Sequence, residues 1–84
     1  RQQSVLSPAS RWVRSPKTGI FRTTCNLGKK VLKGDVIGTV TDAIGLHSTN
    51  VVASFEGIVV GRTQLPLVYQ GDALFNICLL YTSD

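Results

Sequence analysis

Methionine is absent from the 84 residues, lysine stops at Lys33, and histidine and glutamate occur once each, as His47 and Glu56. Each shortage removes a class of chemistry. The two cysteines, Cys25 and Cys78, lie far apart with no C-x-x-C pair, so neither a redox motif nor a zinc site has its usual spacing. They read as reduced cysteines of a reducing compartment rather than as a disulfide framework. A catalytic zinc needs more protein ligands than the pair His47 and Asp42. No apolar run approaches the ~20 residues that cross a bilayer, and Arg1 to Arg11 contains no apolar stretch of a secretory signal.

Acidic residues are also scarce, five against nine lysines and arginines, for a net charge of +4. All the basic residues except Arg62 fall in the first 33 positions. Nucleic-acid binding would gather such charges on one face beside aromatics, whereas Lys29, Lys30 and Lys33 cluster with Gly28 and Gly34 in a turn. They read as solvated turn lysines, and neither nucleic acid nor membrane is expected as a partner. Oligomerisation is left open.

The length suits one domain, which at this size buries only ~60–65% of its unfolded surface. A polar start with Pro8, beginning at arginine rather than methionine, reads as an excised piece: a linker or tail over 1–10, a domain over 11–81 and a polar tail over 82–84.

What is present is one pattern used twice. Sliding the sequence by 38 positions lays Val13 on Val51, Gly19 on Gly57 and Ile20 on Ile58. Closing one gap then lays Gly34 on Gly71 and Asp35 on Asp72. Short apolar runs broken by Gly, Pro, Asn and Asp replace the i, i+3, i+4 spacing of a helix, so both halves are built of short strands. The alternation in "GDVIGTV" predicts Val36, Gly38 and Val40 on one face and Ile37 and Thr39 on the other, in a strand held between two sheets. Gly34-Asp35 and Gly71-Asp72 are turn-forming: glycine supplies a positive φ and aspartate accepts from a nearby backbone N–H. Neither half can bury its strands alone, which predicts an interlocked all-β sandwich.

Six other positions stand out. Arg62 ends a strand and could pair with a carboxylate of substrate or of a neighbouring domain. Pro66 inside "LPLV" marks an edge strand, because proline cannot donate to a ladder. Leu67 and Tyr69 on that edge are candidate interdomain or substrate-entrance contacts, with Arg62. His47, in the joining segment "TDAIGLHSTN", reads as a solvent-facing loop residue with no carboxylate partner positioned by the sequence, and Trp12 as buried.

Two β halves with a G-I-[FV] strand and a later G-D turn resemble the barrel-sandwich hybrid of biotinyl and lipoyl carrier domains, over residues 12 to 80. Those carriers attach the cofactor to a lysine at the joining hairpin, and residues 41 to 50 contain none, so neither biotin nor lipoate is expected. More narrowly, "VRSPKTGIFRTTCNLGKKVLKGDVIGTVTD" with "GIVVGRTQLPLVYQGDALFNI" is similar to the C-terminal domain of the succinylglutamate desuccinylase/aspartoacylase family. Its bacterial members carry a G-R-x-x-L-P-L-V-x-x-G-D-A-L-F segment, matched here from Gly61 to Phe75.

The resemblance implies a zinc-dependent, cytoplasmic hydrolase of N-acyl amide bonds. It also implies that zinc, its His-x-x-Glu ligands and the water-activating glutamate lie in a larger N-terminal domain. This chain would then be a non-catalytic C-terminal β domain whose partner is that catalytic domain and which borders its substrate entrance. The alternative is a stand-alone lipoyl-like binding or assembly module of a periplasmic adaptor, in which a long helical hairpin typically separates the halves.

Overall fold

The structure, a computed structural model, describes residues 9–79. Of the expected tails over 1–10 and 82–84, residues 1–8 and 82–84 lie outside the described residues, as do Leu80 and Tyr81, while Ser10 belongs to the first strand.

Eight strands follow one another: β1 (Ser10–Arg14), β2 (Gly19–Thr23), β3 (Lys30–Val31), β4 (Val36–Thr41), β5 (Ser48–Val52), β6 (Gly57–Arg62), β7 (Leu67–Val68) and β8 (Ala73–Leu79). They form two four-stranded antiparallel sheets, ordered β1-β8-β6-β3 and β5-β4-β2-β7. Replacing each strand by its counterpart in the other half turns one order into the other. The repeat in the sequence is therefore a quasi-twofold relation in space. Each half contributes two strands to each sheet, so the halves interlock and share one core.

That core is Val13, Phe21, Val31, Ile37, Val40, Val51, Val59, Val68, Leu74, Phe75 and Ile77, joined by Cys25 and Ala53. Phe21 and Phe75 meet edge to face, with ring centroids 5.5 Å apart. Burying an aromatic or branched side chain of this size is worth ~1.5–3 kcal/mol. Phe75 is the counterpart of Gly38, where a methyl group would come within 2.9 Å of the Phe21 ring and 3.5 Å of the Phe75 ring. One half thus supplies the ring and the other the space for it.

The alternation expected for "GDVIGTV" does not hold. The β4–β5 register slips between Val36 and Gly38, so Ile37 is bulged and both Ile37 and Gly38 face the core, while Val36 is exposed. The β1–β8 pairing slips at the equivalent place, skipping Leu74, and Leu74 and Phe75 are both buried. Nor does β4 lie between two sheets: it is a central strand of one sheet, with Thr39 and Thr41 only partly covered on its outer side. Trp12, expected to be buried, is 48% exposed on the outer face of β1.

The repeated turns hold the halves together. Gly34 (φ 93°) donates its N–H to the Ala53 carbonyl at 2.8 Å, and Gly71 (φ 91°) donates to Ser15 at 2.9 Å. In return the Ala53 N–H donates to Asp35 and the Ser15 N–H to Asp72. The Asp35 carboxylate accepts the Leu32 N–H and the Asp72 carboxylate the Tyr69 N–H, each at 2.8 Å. Within each turn, local bonds therefore satisfy the backbone donors that the strands leave over.

Candidate functional site

Two regions hold the candidate residues picked out in the sequence: the end of β6 with the segment that follows it, and the hairpin between β4 and β5.

Arg62 closes β6 opposite Phe75, and its Nη1 donates to the Cys25 carbonyl at 2.9 Å. The guanidinium thereby ties the loop after β2 to the other sheet. Arg62 lines an open depression of about 270 Å³ with Phe21, Thr23, Leu65 and Pro66. Leu67 and Tyr69 are not part of that lining; they sit along the β7 edge, 45% and 59% exposed. Of the three sequence-selected residues, Arg62 alone lines that depression.

Strand β7 is an edge strand of two residues, and Leu67 stands beside Ile20 of β2. The Pro66 carbonyl accepts the Phe21 N–H at 2.8 Å, the counterpart of Lys29 accepting the Val59 N–H at 3.0 Å. The Tyr69 backbone is fixed by Asp72 and the Gln70 N–H by the Thr18 hydroxyl, so this stretch is held on both sides of its exposed side chains.

In the β4–β5 hairpin, Asp42 acts as an organiser. Its Oδ1 accepts the Leu46 N–H at 3.0 Å, its carbonyl accepts the Gly45 N–H at 2.9 Å, and its Oδ2 lies 3.2 Å from His47 Nδ1. Desolvation pushes the Asp42 carboxyl up, but the Leu46 bond, the bond and charge of His47, and the charge of Lys17 together leave it below its ordinary value. This partnership corrects the expectation that His47 has no carboxylate. Asp42 precedes His47 by five residues, a spacing that only the tight turn through Gly45 (φ 76°) closes.

With hydrogen on Nδ1, the His47 ring donates to Asp42 and keeps Nε2 as an acceptor. Among the described residues no group of three or more His, Cys, Asp or Glu is placed to hold an ion. The pair alone falls short of the three protein ligands that a catalytic zinc takes. Cys25 is buried and Cys78 half-buried. Among the described residues no helix is long and apolar enough to cross a membrane.

No family model matches the sequence, and no curated protein matches it. The fold does match solved structures. The ectoine utilization protein EutE (DoeB) from Ruegeria pomeroyi is similar at 28% identity and a TM-score of 0.75, over 82% of this chain and 22% of that one. The succinylglutamate desuccinylase/aspartoacylase from Rhodobacter sphaeroides is similar at 25% identity and a TM-score of 0.75, over 84% of this chain and 22% of that one. An aspartoacylase family protein from Mesorhizobium loti shares the fold at 23% identity and a TM-score of 0.69. The likeness is at the level of the succinylglutamate desuccinylase/aspartoacylase superfamily, and the chain spans 22% of the length of the first two.

Proposed function

We propose that this chain is the non-catalytic C-terminal β domain of a longer zinc-dependent deacylase of the succinylglutamate desuccinylase/aspartoacylase type, which hydrolyses an N-acyl amide. The observation that supports this reading is the match of nearly the whole described fold to about a fifth of a much longer succinylglutamate desuccinylase/aspartoacylase. We read the two interlocked sheets as a barrel-sandwich hybrid of the biotinyl/lipoyl kind, used without biotin or lipoate, in a cytoplasmic enzyme.

In this reading zinc belongs to the N-terminal catalytic domain and supplies activation of the attacking water there. This chain's residues do a different job. The Gly-Asp turns and the Arg62 bond to Cys25 make a stiff block, and a stiff block can hold one wall of a substrate entrance in place. Arg62 uses one of its five N–H donors on Cys25, which leaves the fork able to meet a carboxylate at that wall.

The test is hydrolysis of N-acetyl and N-succinyl amino acids, followed by release of the free amine. The full-length gene product is expected to be active and chelator-sensitive, and the 84-residue chain inactive. Activity in the 84-residue chain, or a zinc-loaded full-length product that cleaves no N-acyl substrate, would contradict the proposal.

A further inference from the structure

The two halves share one backbone plan, so each surface has an internal control on the other half. From Asn26 to Gly34 the first half reads "NLGKKVLKG", and from Thr63 to Gly71 the second reads "TQLPLVYQG". Both stretches contain a two-residue edge strand and end in the same Gly-Asp turn. The first carries three lysines, one of them 3.5 Å from Glu56, and the second carries no charge. Charge on a sheet edge is a device against association, and here it has been installed on one edge and left off its twin.

The uncharged edge is also apolar. Ile20, Leu65, Leu67 and Tyr69 are 39%, 63%, 45% and 59% exposed, and Ile20 and Leu67 are directly paired across β2 and β7. At the position of Leu67 the other half has Lys30. Tyrosine enriched and lysine depleted is the composition of an interface core. Pro66 withholds an N–H next to the edge, which disfavours strand addition, so an occupant would pack on side chains.

We propose that the β7 edge, with Ile20, Leu65, Leu67 and Tyr69, is the surface on which the larger catalytic domain of the same polypeptide docks. This rests on the reading of the chain as one domain of a longer enzyme. The occupant is argued from the comparison with solved structures: this fold makes up 22% of each of two similar chains, so a larger part of the same polypeptide is at hand to cover the edge. The rival surface is the outer face of the other sheet, where Trp12 and Val60 are 48% and 52% exposed. There Trp12 and Gly61 flank Asn76 on its two sides and Val60 is skipped at a bulge, a less continuous patch.

Each surface carries one readily oxidised ring, which makes the choice measurable. Hydroxyl-radical footprinting with peptide mass analysis would compare the 84-residue chain with the full-length gene product. Tyr69 is expected to be protected several-fold in the full-length product while Trp12 keeps its labelling rate. Leu67→Lys, which installs the residue type its twin position already accepts, should restore Tyr69 labelling in the full-length product and leave the melting temperature of the 84-residue chain unchanged. Protection of Trp12 without Tyr69, or of neither, would overturn this surface while leaving the enzyme reading intact. A gene product with no further domain would overturn both.

Discussion

Ser15 and Ala53 occupy the same place in the two halves: Ser15 accepts the Gly71 N–H at 2.9 Å, and Ala53 accepts the Gly34 N–H at 2.8 Å. Each bond runs from the turn of one half to the strand end of the other, so the two copies latch reciprocally.

Alanine at Gly34 or Gly71 tests the latch. Nothing lies within 4 Å of the added methyl, so the cost comes from the positive φ alone. About 1 kcal/mol should be lost at either site, read from urea denaturation, and the two losses should be alike. A neutral result at both would show that the turns do not need glycine.

Gly19 and Gly57 should behave differently from the turn glycines. A methyl at Gly19 falls on the Thr41 carbonyl, and one at Gly57 falls on the Cys78 carbonyl. Backbone must move to admit either, so Gly19→Ala and Gly57→Ala should each cost ~3 kcal/mol or prevent folding. Circular dichroism and denaturant melts would show a loss clearly larger than at Gly34.

The paired glycines were legible in the sequence because a repeat exposes the places where the same backbone problem recurs. The all-β character was legible for the same reason. Ile37 was not: a bulge adds one residue to a strand and inverts the apparent alternation, and no residue type announces it. Trp12 was misplaced because a large aromatic at a strand start suits the outside of an edge strand as well as the core. Of the candidate site, the exposed apolar edge after Pro66 could be read from proline chemistry. The bond from Arg62 to Cys25 could not, since it joins residues from different sheets.

Arg62→Ala should destabilise the isolated domain by ~1 kcal/mol, the usual net value of one hydrogen bond, and loosen the loop at Cys25. Amide exchange around Cys25 would report it. A loss of activity in the full-length product with no change in the domain's stability would instead assign Arg62 to the substrate.

Acid should open the β4–β5 hairpin locally. Asp42 has a folded pKa below its ordinary 3.8, so its contribution is complete above that value and is lost as pH falls through the lower folded value. The Leu46 amide resonance should therefore titrate with a midpoint below 3.8, and Asp42→Asn should abolish that titration. A midpoint above 3.8 would contradict the bonding seen at Asp42.

The central claim, that this is the accessory β domain of a longer zinc-dependent deacylase, is tested most directly by sequencing the gene upstream of the codon for Arg1. The account predicts an open reading frame continuous with this one that encodes a large domain with an His-x-x-Glu pair and a later histidine. A start codon close to Arg1, or an upstream domain without that ligand set, would contradict it.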